Sequence, residues 1–321
     1  MEWRSRLRLQ VTAGADAEEF AFTEASLFER NDVGGLLRAA VAGNGEFSVF
    51  LRNLMAGDGN PFQPRGLLQT PIGQLRAFGF TVPAEKSRFP SGPARAGYRG
   101  TLFAIPESGD LKRLTLEADD VGDACRVQYT TDYTSTRIGD REIVLPQSST
   151  MEVVNRDGTE LRTETYYSGC RRPSAPAVAA AGAGEPKPLP PNVRFRVRFQ
   201  PPIDSETAAT GDPVTGVIRT TVKDKQSGIV VHAGDRVHGR IALIEEYLAP
   251  DIRWNLAIAF QTIERGVGEH GIDQGVEQPV SLVAVGIGDR TRHEDAVGRG
   301  GVYFVPNVLL DPKFETEWET R

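Results

Sequence analysis

Cysteine, histidine and long apolar runs are all scarce in this chain, and each scarcity excludes a class of function. Two cysteines, Cys125 and Cys170, occur in 321 residues. That is too few for a disulfide framework. The four histidines are His232, His238, His270 and His293. They form no His-Glu-x-x-His pattern and pair with no cysteine at zinc spacing, so no metal site and no cofactor are expected. Glu117, Asp119, Asp120 and Asp123 gather acidic oxygens but lack the spacing of a calcium loop. No stretch approaches the ~18 apolar residues of a membrane-spanning helix. A basic excess is missing too: the net charge is −6, which argues against nucleic acid as a partner. There is no Gly-x-Ser-x-Gly, and Ser168-Gly169-Cys170 has no histidine nearby. Gly298-Arg299-Gly300-Gly301 follows no strand–helix context and reads as a hairpin loop. The expectation is a protein without catalytic chemistry.

What is present is alternation. Between Tyr98 and Cys170 the chain reads as four or five consecutive antiparallel strands. Cys125, Val127, Tyr129 and Tyr133 point one way, and Arg126, Gln128, Thr130, Asp132 and Thr136 the other. A period of two marks a strand with one buried and one wet face. Ile138-Gly139-Asp140-Arg141 is a tight hairpin, Pro146 is expected to interrupt the next strand, and Arg156-Asp157-Gly158 is a second turn. Counting outward from that turn sets Val153 opposite Leu161 and Glu152 opposite Arg162. The apolar pair then falls on one face and the ion pair on the other. In such a meander Cys125 lies near Val154 and Glu160, whereas Cys170 lies near Val144. That separation exceeds the ~7 Å limit between Cα atoms of a disulfide, so two separate thiols are favoured.

Helical periodicity is confined to the first 60 residues or so. Val33, Leu36, Leu37, Ala40 and Val41 share one face behind Asp32. Phe47, Phe50, Leu51 and Leu54 share another, ending at Gly57. Early strands are expected at about 3–11 and 19–22, and another at 75–82. The chain opens directly into alternating Arg6-Leu7-Arg8-Leu9-Gln10-Val11 with no signal peptide, as expected of a chain whose N-terminal segment is missing or has been removed. Pro- and Ala-rich residues 173–192 read as a linker. From Val193 onward seven or eight strands without helices imply a barrel or a sandwich. Ile252, Trp254, Leu256, Ile258 and Phe260 give its cleanest alternation. Arginine stripes at Arg4, Arg6, Arg8 and at Arg194, Arg196, Arg198 read as wet strand faces or guarded edges. The expected organisation is a mostly β protein of two domains. Residues 1–172 form a curved antiparallel sheet, a half-barrel, with two helices packed on it. Residues 193–321 form an all-β barrel or sandwich.

Two resemblances go beyond pattern. Tyr98-Arg99-Gly100-Thr101-Leu102-Phe103, Pro106, Gly109-Asp110-Leu111-Lys112-Arg113-Leu114 and Leu145-Pro146-Gln147-Ser148-Ser149-Thr150 make the first part similar to bacterial secreted proteins shaped like the lipoprotein-carrier (LolA-like) half-barrels. Phe195-Arg196-Val197-Arg198-Phe199 and Val231-His232-Ala233-Gly234-Asp235 make the second part resemble a bacterial envelope β-domain. More faintly, it is similar to outer-core barrels of conjugation and type IV secretion. The resemblance implies a periplasmic or cell-envelope protein that holds an apolar ligand, lipid or lipoprotein in a groove. Phe47, Phe50, Leu51 and Leu54 would be the lid, and Leu102, Leu114, Val127 and Tyr129 the floor. The alternative is a structural or assembly protein that meets an envelope partner through its C-terminal β-domain.

Overall fold

Alternating sequences become strands almost throughout, because period-two burial suits a sheet with unlike faces. The computed structural model describes residues 2–13, 18–23, 49–56, 62–87, 96–172, 189–223, 230–248, 253–265, 276–287, 302–305 and 315–320. In chain order the elements are β1 (Trp3–Ser5), β2 (Leu9–Ala13), β3 (Glu18–Phe22), α1 (Val49–Ala56), β4 (Gln63–Thr70), β5 (Gly73–Val82), β6 (Tyr98–Ala104), β7 (Leu111–Val121), β8 (Ala124–Ile138), β9 (Arg141–Asn155) and β10 (Glu160–Tyr166). They continue as β11 (Arg194–Phe199), β12 (Pro213–Ile218), β13 (Val222–Lys223), β14 (Val230–Val231), β15 (Arg236–Tyr247), β16 (Arg253–Arg265), β17 (Val276–Pro279), β18 (Leu282–Ile287), β19 (Val302–Val305) and β20 (Glu315–Thr320). The described residues divide into two compact units, one drawn from 11–20 and 27–176, the other from 1–10, 21–26 and 177–321. The expected helix over 33–41 and most of the expected linker lie outside the described residues.

The first unit is built on a seven-stranded antiparallel meander in the order β10-β9-β8-β7-β6-β5-β4. Its last hairpin has the register the sequence implies. Val153 faces Leu161 and Glu152 faces Arg162, whose side chains join at 2.9 Å. Two details differ from the expectation, and both come from bulges. A register shift between Ala124 and Arg126 turns Cys125 out of the apolar set. Cys125 is therefore exposed, and Ala124 takes the buried place. A second shift lies between Asp132 and Tyr133, where Asp132 faces Ser148 and Tyr133 faces Pro146. Gln147 is the extra residue, so β9 runs on through Pro146 rather than stopping there. Both cysteines are free.

One face of this sheet is closed by α1. Phe50 and Leu54 join Phe80, Val82, Tyr98, Leu102, Leu114, Leu116, Val127 and Tyr129 in one apolar cluster. Phe50 sits 5.6 Å from Tyr98 between ring centroids, and Phe80 meets Tyr98 edge-on at 6.3 Å. Gly100 makes room for this packing, since a Cβ there would strike the Phe80 ring.

The second unit carries the curled half-barrel, a nine-stranded sheet in the order β17-β16-β15-β12-β11-β20-β18, with β1 on β15 and β19 on β16. Its core is organised around Trp318, which is fully buried. Phe260 meets the indole edge-on at 4.7 Å, and the indole N–H donates to Thr316 Oγ1 at 2.7 Å. Arg194, Arg196 and Arg198 on β11 face Glu319, Glu317 and Glu315 on β20. The stripe is thus a cross-strand ladder of opposite charge, with Arg194–Glu319 and Arg198–Glu315 both at 2.5 Å. The first residues, expected with the half-barrel that follows them, are strand-paired here instead. Trp3, Arg4 and Ser5 face Tyr247, Glu246 and Glu245. Arg4 binds Glu246, Arg6 lies 5.7 Å over the Trp254 ring, and Arg8 grips Asp212 at 2.6 Å. Gly239 sits at a bulge where a Cβ would collide with the Ala259 carbonyl, so the backbones of β15 and β16 approach closely there.

Truncating Trp318 removes the largest fully buried side chain among the described residues and leaves a cavity that strands of one sheet cannot collapse into. Trp318→Ala should cost ~3–5 kcal/mol in equilibrium chemical denaturation. A loss below ~1 kcal/mol would contradict this packing.

Candidate functional site

The apolar residues expected to form the groove do come together. Phe50, Leu54, Leu102, Leu114, Val127 and Tyr129 are each at most 7% exposed, and Leu51 packs half-buried against them. Phe47 lies outside the described residues. Side chains buried this far and in mutual contact form an ordinary core under a helix.

The other face of the same meander has a different chemistry. Facing residues in an antiparallel pair share a side of the sheet, so register alone decides which polar groups become neighbours. Thr101 faces Thr115, Thr115 faces Thr130, and Thr130 faces Thr150. Four threonines therefore stand in line across β6, β7, β8 and β9. With ~4.8 Å between strands the row is about 14 Å long. A second row lies two residues along each strand. Arg99 faces Glu117, Glu117 faces Gln128, Gln128 faces Glu152, and Glu152 faces Arg162.

The charges of the second row are paired. Arg99 reaches Glu117 at 2.9 Å and Asp119 at 3.0 Å. The Gln128 amide donates to Glu117 Oε1 at 2.8 Å, and Arg162 holds Glu152 at 2.9 Å. The Gln128 donor first, and the Arg99 guanidinium second, hold the Glu117 carboxyl below its ordinary value of 4.5. Burial of the carboxyl and the neighbouring Asp119 charge oppose this. Three of the four acidic residues that suggested calcium are thus engaged by arginine: Glu117 and Asp119 by Arg99, and Asp120 by Arg156 at 2.9 Å. Among the described residues no three His, Cys, Asp or Glu side chains are grouped as metal ligands.

A cavity of about 490 Å³ lies over these two rows, within the ~300–1,000 Å³ range of ligand sites. Arg65 closes one end of it. This residue sits at a bulge in β4, between Pro64 and Gly66, and Gly66 supplies a φ of +91° that other residues rarely adopt. The Arg65 side chain crosses directly over Gly79 of β5, where any Cβ would collide with the guanidinium.

Most of these residues carried no functional signal in the sequence. Gln128 and Thr130 read as members of a wet face, Glu152 as half of a hairpin ion pair, Glu117 as a weak calcium candidate. The threonine row escapes sequence reading because bulges shift two of its three steps. Counting back from the 139–140 turn without Gln147 as an extra residue would set Thr130 opposite Ser149. The shift between Phe103 and Ala104 hides the step from Thr101 to Thr115 in the same way. Compared with known proteins, the chain matches no family model, no curated sequence and no solved structure.

Two outcomes follow. Leu51→Trp should destabilise the protein by ~1–3 kcal/mol, as overpacking a filled interior does. An unchanged denaturation midpoint would mean that the helix-covered face has space to spare. For Glu117 the folded carboxyl titrates lower than the unfolded one. Its contribution to stability is therefore present above about pH 4.5 and is lost as pH falls below that through the folded value. Glu117→Gln should flatten the acid limb of the stability–pH curve in this window, modestly because the side chain is 41% exposed. A limb as steep as in the unmodified protein would remove Glu117 from the account.

Proposed function

We propose that the chain is a non-enzymatic binding protein of the cell envelope, and that its ligand lies on the threonine-rich, charged face of the seven-stranded sheet. The observation that carries this reading is the cavity over the two polar rows. It is large enough for a small molecule, and its walls present hydroxyls, an amide, two carboxylates and two guanidiniums in fixed register. Thr, Gln and ionised Glu side chains together can accept from and donate to a ligand bearing several hydroxyl groups. Cross-strand pairing fixes the spacing of these groups, so little ordering would be needed on binding.

A lipid or lipoprotein cargo, which the resemblance to carrier half-barrels favours, would need apolar walls. The apolar residues expected to line such a groove, Phe50, Leu54, Leu102, Leu114, Val127 and Tyr129, are committed to the core beneath α1. A polar ligand suits the available surface better. The envelope as compartment rests on the same resemblance.

The test is a thermal-shift screen of neutral sugars and polyols against fatty acids. It uses the full chain and the variant Thr130→Trp, whose indole would fill the cavity from its floor. A sugar or polyol should raise the melting temperature of the unmodified protein and not that of the variant, with both melting alike when no ligand is added. Stabilisation by fatty acids alone, equal in both proteins, would reject the polar face as the binding side.

A further inference from the structure

The cavity contains two guanidiniums, and they differ in one respect. Arg99 is held by Glu117 and Asp119. Arg65 has no ion-pair partner among the described residues. Its backbone is set by a bulge and by the positive φ of Gly66, and bulges commonly re-aim a side chain in this way. Gly79 leaves bare backbone beneath the guanidinium, which crosses the strand at the end of the threonine row. Gly79 faces Thr101, which places Arg65 in line with Thr101, Thr115, Thr130 and Thr150. The carboxylates nearby are each matched to a partner, Glu117 to Arg99 and Gln128, Glu152 to Arg162. Arg99 and Arg162 are each held by two carboxylates, which leaves Arg65 as the cavity's guanidinium without a carboxylate on it among the described residues.

Resting on the reading of this face as the binding side, we infer that the ligand is anionic as well as hydroxylated. Its acid group, a carboxylate or a phosphate, sits on Arg65, and its hydroxyls run along the threonine row. A guanidinium offers paired N–H donors in a fork that matches either anion. Threonine hydroxyls in register supply the neutral contacts, and the Glu117 and Glu152 oxygens accept from hydroxyl hydrogens. An acidic sugar and a polyol phosphate share this chemistry.

Calorimetric titration of the full chain with two matched pairs of probes tests the inference. Glucuronate is compared with glucose, and glycerol phosphate with glycerol. At least one anionic probe should bind about tenfold or more tightly than its neutral counterpart, the gain of a charge-assisted hydrogen bond. A carboxylate source favours glucuronate, and a phosphate source favours glycerol phosphate. Arg65→Gln should abolish that preference and leave the neutral probe unaffected. Gly79→Ala should do the same while keeping the charge. The group its Cβ would strike is the flexible end of Arg65, so the arginine is displaced without strain in the sheet, and the melting temperature should hold.

Equal binding of charged and neutral probes would overturn the anionic assignment and leave the polar binding face standing. Failure of all four probes to bind would overturn both. A preference that survives Arg65→Gln would place the anion elsewhere. A preference lost in Arg65→Gln but kept in Gly79→Ala would assign it to net charge rather than to the seated guanidinium, which also overturns the proposal.

Discussion

Cross-strand register in the seven-stranded meander is the constraint on which the rest of the first unit depends. Side chains alternate with a period of two, so every strand must be aligned to the same parity or its apolar set turns to solvent. The helix-covered core enforces that parity. Leu102 faces Leu114 across β6 and β7, Leu116 faces Tyr129 across β7 and β8, and Tyr129 faces Met151 across β8 and β9. Once these positions are fixed inward, their neighbours are fixed outward. The threonine row and the charged row are then consequences of core packing, and no binding energy is needed to assemble them.

Bulges make this alignment possible. Each inserts one residue and so resets which residues share a face. Those beside Gln147 and between Phe103 and Ala104 bring the threonines into one line, and that at Arg65 swings a guanidinium over the neighbouring strand. The second unit uses register differently. There it matches the arginines of β11 to the glutamates of β20, on the exposed side of a sheet whose other side holds Trp318.

How much of this was legible in the sequence follows from the same physics. The strands between Tyr98 and Tyr166 and the hairpin register at Val153 and Leu161 could be read, because a tight turn and an unbroken alternation suffice. Phe50 and Leu54 could be placed on an apolar helix face, and they are there. The partner of the Arg194 stripe could not be read, since Glu315, Glu317 and Glu319 lie far off in sequence and only the closing of the half-barrel joins them. Nor could Arg4, Arg6 and Arg8 be assigned to β15 and its surroundings, because strand order is not encoded in local pattern. The outward rows were hidden for a subtler reason: a one-residue bulge leaves no mark in composition yet changes every opposition beyond it. A threonine on a wet face gives no sign of being one of four in line.

The central claim is that binding belongs to the polar face of this sheet and that the apolar face is a filled core. Methyl NMR of the full chain, with threonine and leucine methyls labelled, measures both at once. Contacts between the methyls of Thr101 and Thr115, Thr115 and Thr130, and Thr130 and Thr150 should be seen in the free protein. A bound polar ligand should shift those signals together and leave Leu54, Leu102 and Leu114 unmoved. Shifts confined to the leucine methyls on adding a lipid, with the threonine signals unchanged, would contradict the account.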